Sequence, residues 1–129
     1  MTTTMPPDRL SAFARELIEE PDDSSSGLWP RAAALLLRQA AETILDELWE
    51  ARAQGMQKAP MRSQLVALPL VLRDEDLSGR TSYTWWVLSN ACHYRYGASP
   101  LDAQELRHAA DLVDELSQAV SRRIGDNQA

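Results

Sequence analysis

The stretch "LWPRAAALLLRQAAETILDELWEARAQG", Leu28 to Gly55, decides the fold. Ala33, Leu36, Leu37, Ala40, Ile44, Leu48 and Ala51 recur at three- and four-residue spacing, the pattern of one helix face. Leu35, Leu45 and Trp49 widen the stripe. Pro30 falls in the first turn, where a missing N–H removes nothing, and Gly55 is placed to stop the helix. About 25 residues at 1.5 Å each make a rod of roughly 38 Å. A rod of that length in a chain of 129 residues is the spine of a bundle. No window shows sustained alternation of apolar and polar residues, so the expected class is all-α.

Toward the N-terminus, Asp8 can cap a short helix with Leu10, Phe13, Leu17 and Ile18 on one side. Pro21 ends it and "DDSSSG" reads as a linker, which makes residues 1–27 an acidic arm suited to docking. Toward the C-terminus, "MRSQLVALPLVLRDED" predicts about two helical turns, broken or kinked by Pro69 and followed by an apolar connector. A strand at "LPLVL" is the alternative, without a visible partner strand. A third main helix is expected from Ser78 to Tyr94, stopped by Gly97. The last has Ser99 as cap, Pro100 at its first position and Asp102 three residues after the cap. Leu106, Ala109, Ala110, Val113, Leu116 and Val120 form its apolar face, and Arg122 and Arg123 suit its negative C-terminal end. The expected architecture is a four-helix bundle over residues 28–124, an additional short N-terminal helix, and a flexible tail at 125–129.

The net charge of −6 is unevenly spread: residues 1–27 hold six acids and two bases, residues 28–129 thirteen acids and eleven bases. Neither part forms an electrostatic trap for a phosphate backbone, although a local encounter with RNA remains open. The lone Cys92 makes no internal disulfide and fits a reducing cytoplasm. The N-terminus lacks a basic region followed by an apolar run, and no apolar run approaches the roughly 18 residues of a membrane span. With two histidines and no carboxylate at metal-ligand spacing, and no glycine-rich loop, neither metal nor nucleotide cofactor is expected.

One stretch, "WWVLSNACHYRYGASP" from Trp85 to Pro100, gathers side chains able to do chemistry. On a helix, His93 shares a face with Asn90, Ser89 and Trp86. A histidine transfers protons near neutral pH, and an amide and a hydroxyl can position a phosphate. The missing part is a cation: Arg80 lies almost four turns away, and Arg38 reaches the site only if packing brings it there. The competing reading is structural, with His93 serving the helix end and Ser89 and Asn90 satisfying backbone groups. Trp85 and Trp86 cannot both face the core, so one is expected to line a groove or interface. Trp29, Trp85, Trp86 and Tyr94 are the expected interface residues, and a homodimer follows from the excess of large apolar side chains. Cys92 reads as a small apolar residue, and His108 receives no role.

The order of "LWPRAAALLLRQAAETILDELW", a short helix, a helix ending "LSNACHY", then "ASPLDAQELRHAADLVDEL" resembles HEPN domains, the small helical bundles of prokaryotic defence and toxin–antitoxin systems. The resemblance covers roughly residues 28–124. It implies either a metal-independent ribonuclease, working from two motifs across a dimer, or a noncatalytic partner-binding module. His93 matches the family's motif histidine. The family's arginine, separated from the histidine by four to six residues, is absent, because that slot holds Trp86, Val87 and Leu88. The reading carried forward is a cytoplasmic HEPN-like module acting through protein contacts, with RNA cleavage at His93 as the alternative.

Overall fold

A computed structural model describes residues 5–19, 29–92 and 101–125. The described residues are all-helical, with five α-helices and no strand. They are α1 (Pro7–Glu19), α2 (Trp29–Arg52), α3 (Met61–Leu72), α4 (Glu75–Cys92) and α5 (Ala103–Gly125), with a 3-10 turn at Met56–Lys58.

Helix α2 is the hub. It packs on α1, α4 and α5, and buries Leu37, Ala40, Ile44, Leu45, Leu48 and Trp49 along its length. Each buried leucine or isoleucine contributes about 2 kcal/mol by leaving water, so the spine dominates the core. Arg52 donates to the Arg123 carbonyl at 2.6 Å through Nη2, which sets the C-terminal ends of α2 and α5 side by side. Helix α4 runs the other way along α5, since Arg80 meets Glu115 near one end and Val87 shares a cleft with Glu105 near the other.

The first helix is not free. It lies on α2 and α5 and buries Leu10, Ser11, Ala14 and Ile18, at i, i+1, i+4 and i+8. Phe13, expected inward, is exposed, because the small Ser11 and Ala14 let the backbone approach its neighbours instead. Ser11 donates to Asp114 at 2.9 Å, Arg15 bridges Asp111 and Asp114 at 2.8 and 2.6 Å, and Arg107 reaches Glu19 at 2.9 Å. Asp111 and Asp114 are thus partners between helices. The linker at 20–28 lies outside the described residues.

Three boundaries differ from expectation. Helix α3 runs through Pro69 to Leu72, so "LPLVL" is neither connector nor strand. Pro69 sits in the last turn, where it removes one N–H, and its own carbonyl accepts from Arg73 N at 3.0 Å to close the helix. Helix α5 starts at Ala103 rather than Pro100. Asp102 and Glu105 form a reciprocal capping box, with Glu105 N donating to Asp102 Oδ1 at 2.7 Å and Asp102 N to Glu105 Oε1 at 3.2 Å. Ser99 and Pro100 lie outside the described residues. Helix α4 likewise starts three residues before Ser78, because Asp74 Oδ1 accepts from Leu77 N at 3.0 Å.

Candidate functional site

The candidate site is built on the second half of α4, whose composition is unusual for a packed helix. Ser78, Thr81, Trp85 and Ser89 recur at three- and four-residue spacing and turn inward. Each holds a buried side-chain donor without a hydrogen-bond partner among the described residues: three hydroxyls and the Trp85 indole Nε1. A buried donor left unpaired costs about 1–3 kcal/mol. The apolar residues Leu77 and Leu88 share this inner side and hold the helix against the core.

The outer side carries Tyr83, 72% exposed, and Trp86, 51% exposed, three residues apart. Trp85 and Trp86 meet edge to face with ring centroids 5.4 Å apart and planes at 80°. One indole therefore leans into the core and its neighbour faces outward, as the sequence demanded. The expected site residues divide in the same way. Asn90 is exposed one turn after Trp86, whereas Ser89 is buried. Trp29 is half-buried against the core at the start of α2. His93 and Tyr94 lie outside the described residues.

Packing does bring basic side chains of α2 to the end of α4. Burial pushes the Cys92 thiol up from its ordinary value, and the charges of Arg38 and Arg31 act on it in the opposite direction. Cys92 is buried and stays a thiol at neutral pH. Arg38 Nε is buried 3.3 Å from Glu42 Oε1, off the hydrogen-bonding direction. Arg80 is committed elsewhere: it holds Glu115 through two bonds of 2.8 Å and Asp76 at 2.9 Å. Those bonds raise the arginine's pKa and keep the Glu115 carboxyl below its usual range.

A groove between α4 and α5 was not legible beforehand. Its main cleft, of about 420 Å³, is lined by Gly79, Tyr83, Thr84, His108, Leu112 and the Arg80–Glu115 pair. A smaller cleft of about 200 Å³ continues it past Val87 and Glu105. Tyr83 belongs to both the groove and the exposed face. Its spacing from Trp86 was the available signal, but which helix would lie beside it was not. Among the described residues, no group of three or more histidine, cysteine or acidic side chains could hold a metal ion. No helix among them is long and apolar enough to cross a membrane. Comparison with family models, curated proteins and solved structures returns no match for this chain.

Proposed function

We propose that the chain is a HEPN-like helical module, a four-helix bundle with an additional short N-terminal helix, that works in the cytoplasm of a bacterial defence or toxin–antitoxin system by holding another protein. The observation that carries this reading is the pair Tyr83 and Trp86, large aromatic side chains 72% and 51% exposed on one face of α4. Aromatic residues that are rigid, amphipathic and exposed are typical anchors of protein interfaces. Asn90 on the same face offers hydrogen bonds at its edge. The partner is a second copy of the chain or a different protein. Light scattering across a wide concentration range separates these, and a Trp86→Asp, Tyr83→Ser variant is expected to lose the complex while keeping its helical circular dichroism. A variant that retains the complex would overturn the assignment of this face.

A second reading, metal-independent RNA cleavage at His93, draws on one observation. The charges of Arg31 and Arg38 act at Cys92, the residue before His93, so α2 supplies positive charge where the third helix supplies none. Cleavage of RNA in the presence of EDTA, lost in both His93→Ala and Arg38→Ala, would support it. Silence of the wild-type dimer and of the partner-bound protein would remove it.

A further inference from the structure

Helix α3 carries the two most exposed large apolar side chains among the described residues, Val66 at 77% and Leu70 at 82%. They lie one turn apart. Arg62 stands one turn before Val66, and Arg73 three residues after Leu70, both exposed. Arg62, Val66 and Leu70 form one stripe along α3, and Arg73 follows just past the helix end. Arg62 and Arg73 make no ion pair with any described residue. Arg73 also holds a left-handed backbone, φ 61° and ψ 39°, a conformation that glycine adopts more cheaply. Its guanidinium end of the stripe opens into a cleft of about 440 Å³ shared with Arg122 and Arg123. The acid of that cleft, Asp74, is turned to the start of α4, where it accepts from Leu77 N. A basic, apolar-centred surface thus stands on a chain whose net charge is −6.

Three occupants fit poorly. A second copy would set arginine against arginine at the ends of the stripe. An anionic membrane would repel the acidic body, and two apolar side chains give little to insert. Nucleic acid would find no aromatic ring to stack on at the centre of the stripe. We infer that the α3 stripe docks an acidic amphipathic helix of another protein, whose apolar face covers Val66 and Leu70 while its flanking carboxylates pair with Arg62, Arg73 and Arg122. Such a helix presents anchors at i, i+3 or i+4, and i+7, matching the one-turn spacing of the stripe. This surface is separate from Tyr83 and Trp86, and the inference stands without that reading.

The test uses the full chain and a fluorescent peptide of about four helical turns, with leucine at the anchor positions and glutamate on both flanks. A second peptide carries lysine in place of each glutamate, and vesicles of phosphatidylserine with phosphatidylcholine form a third probe. The acidic peptide is expected to bind, with affinity falling as salt rises, and to shift amide resonances of Arg62 to Arg73. Leu70→Ser is expected to weaken binding about tenfold. The Arg62→Glu, Arg73→Glu variant is expected to reverse the preference between the two peptides, a result that simple misfolding could not produce. Equal binding of both peptides, binding of vesicles alone, no binding, or shifts confined to α4 would each overturn the inference.

Discussion

Two indoles with buried N–H groups, Trp49 enclosed and Trp85 half-buried, show how differently two parts of this molecule are finished. Trp49 is fully enclosed near the end of α2, and its Nε1 donates to Gln64 Oε1 at 2.7 Å. Gln64 in turn donates from Nε2 to the Ala59 carbonyl at 2.9 Å, so one amide ties α2, the intervening turn and α3 together. Trp85 on α4 has a buried Nε1 with no partner among the described residues, and Ser78, Thr81 and Ser89 along the same helix share that condition. The spine corner satisfies its polar groups; the inner face of α4 does not. The difference teaches where the packing matches its buried polar groups and where it leaves them unmatched, at a cost in stability.

The comparison breaks first at Trp49. Replacement by alanine is expected to cost about 4 kcal/mol of unfolding free energy, and Trp85→Ala clearly less, measured by chemical denaturation. Equal losses would mean that the two indoles are equally supported. Next comes Gln64→Leu, which strands the Trp49 N–H and is expected to cost about 2 kcal/mol. Trp49→Phe in that background should recover part of the loss, because the stranded donor goes with it. The α4 face should behave in the opposite sense. Thr81→Val removes an unpaired hydroxyl at nearly constant shape, and stability is expected to stay level or rise by up to about 1 kcal/mol. A fall of that size would reveal a hydrogen bond at Thr81.

Smaller effects sharpen the edges of the contrast. Arg73→Gly relieves a left-handed backbone but frees the unfolded chain, for a net gain of about 0.5 kcal/mol. The smallest is a pH effect. Arg80 holds the Glu115 carboxyl below its usual range, so the native state binds fewer protons there than the unfolded one. That contribution is present above the unfolded value near 4.3 and is lost as pH falls below it. The melting temperature of Glu115→Gln should therefore fall less than that of the wild type between neutral and acid pH. Both side chains are exposed, so the difference should shrink in high salt.

The legible parts of the fold are those with strong periodicity and unambiguous stops. Helix α2 matches its sequence reading because Pro30, the apolar stripe and Gly55 agree, and Gly55 takes a left-handed φ of 103° just beyond the helix. The reading of α3 fails at Pro69 because the one N–H it removes is outweighed by the burial of Leu65, Leu68 and Leu72 on either side of it. The start of α5 was misplaced because two overlapping cap patterns, one at Ser99 and one at Asp102, compete in the same seven residues. At the site, the division of Trp85 from Trp86 follows from helix geometry alone. The groove with Tyr83 and His108 does not, since it depends on which helix lies beside α4. Nor does the approach of Arg31 and Arg38 to Cys92, which is set by α2 and α4 running in opposite directions.

The pairing of α1 with α5 has a consequence for how the chain is made. The ribosome delivers Ser11 and Arg15 roughly a hundred residues before Asp114. Arg15 nevertheless finds Asp111 and Asp114 on the last helix, and Ser11 finds Asp114 as well. The arginine latch between Arg52 and the Arg123 carbonyl is later still, a few residues from the end of α5. A nascent chain halted before Ala103 lacks every partner that α5 offers the first helix, and its long spine is still open to water along the side that α5 covers. Closure of this bundle thus waits for α5 to emerge.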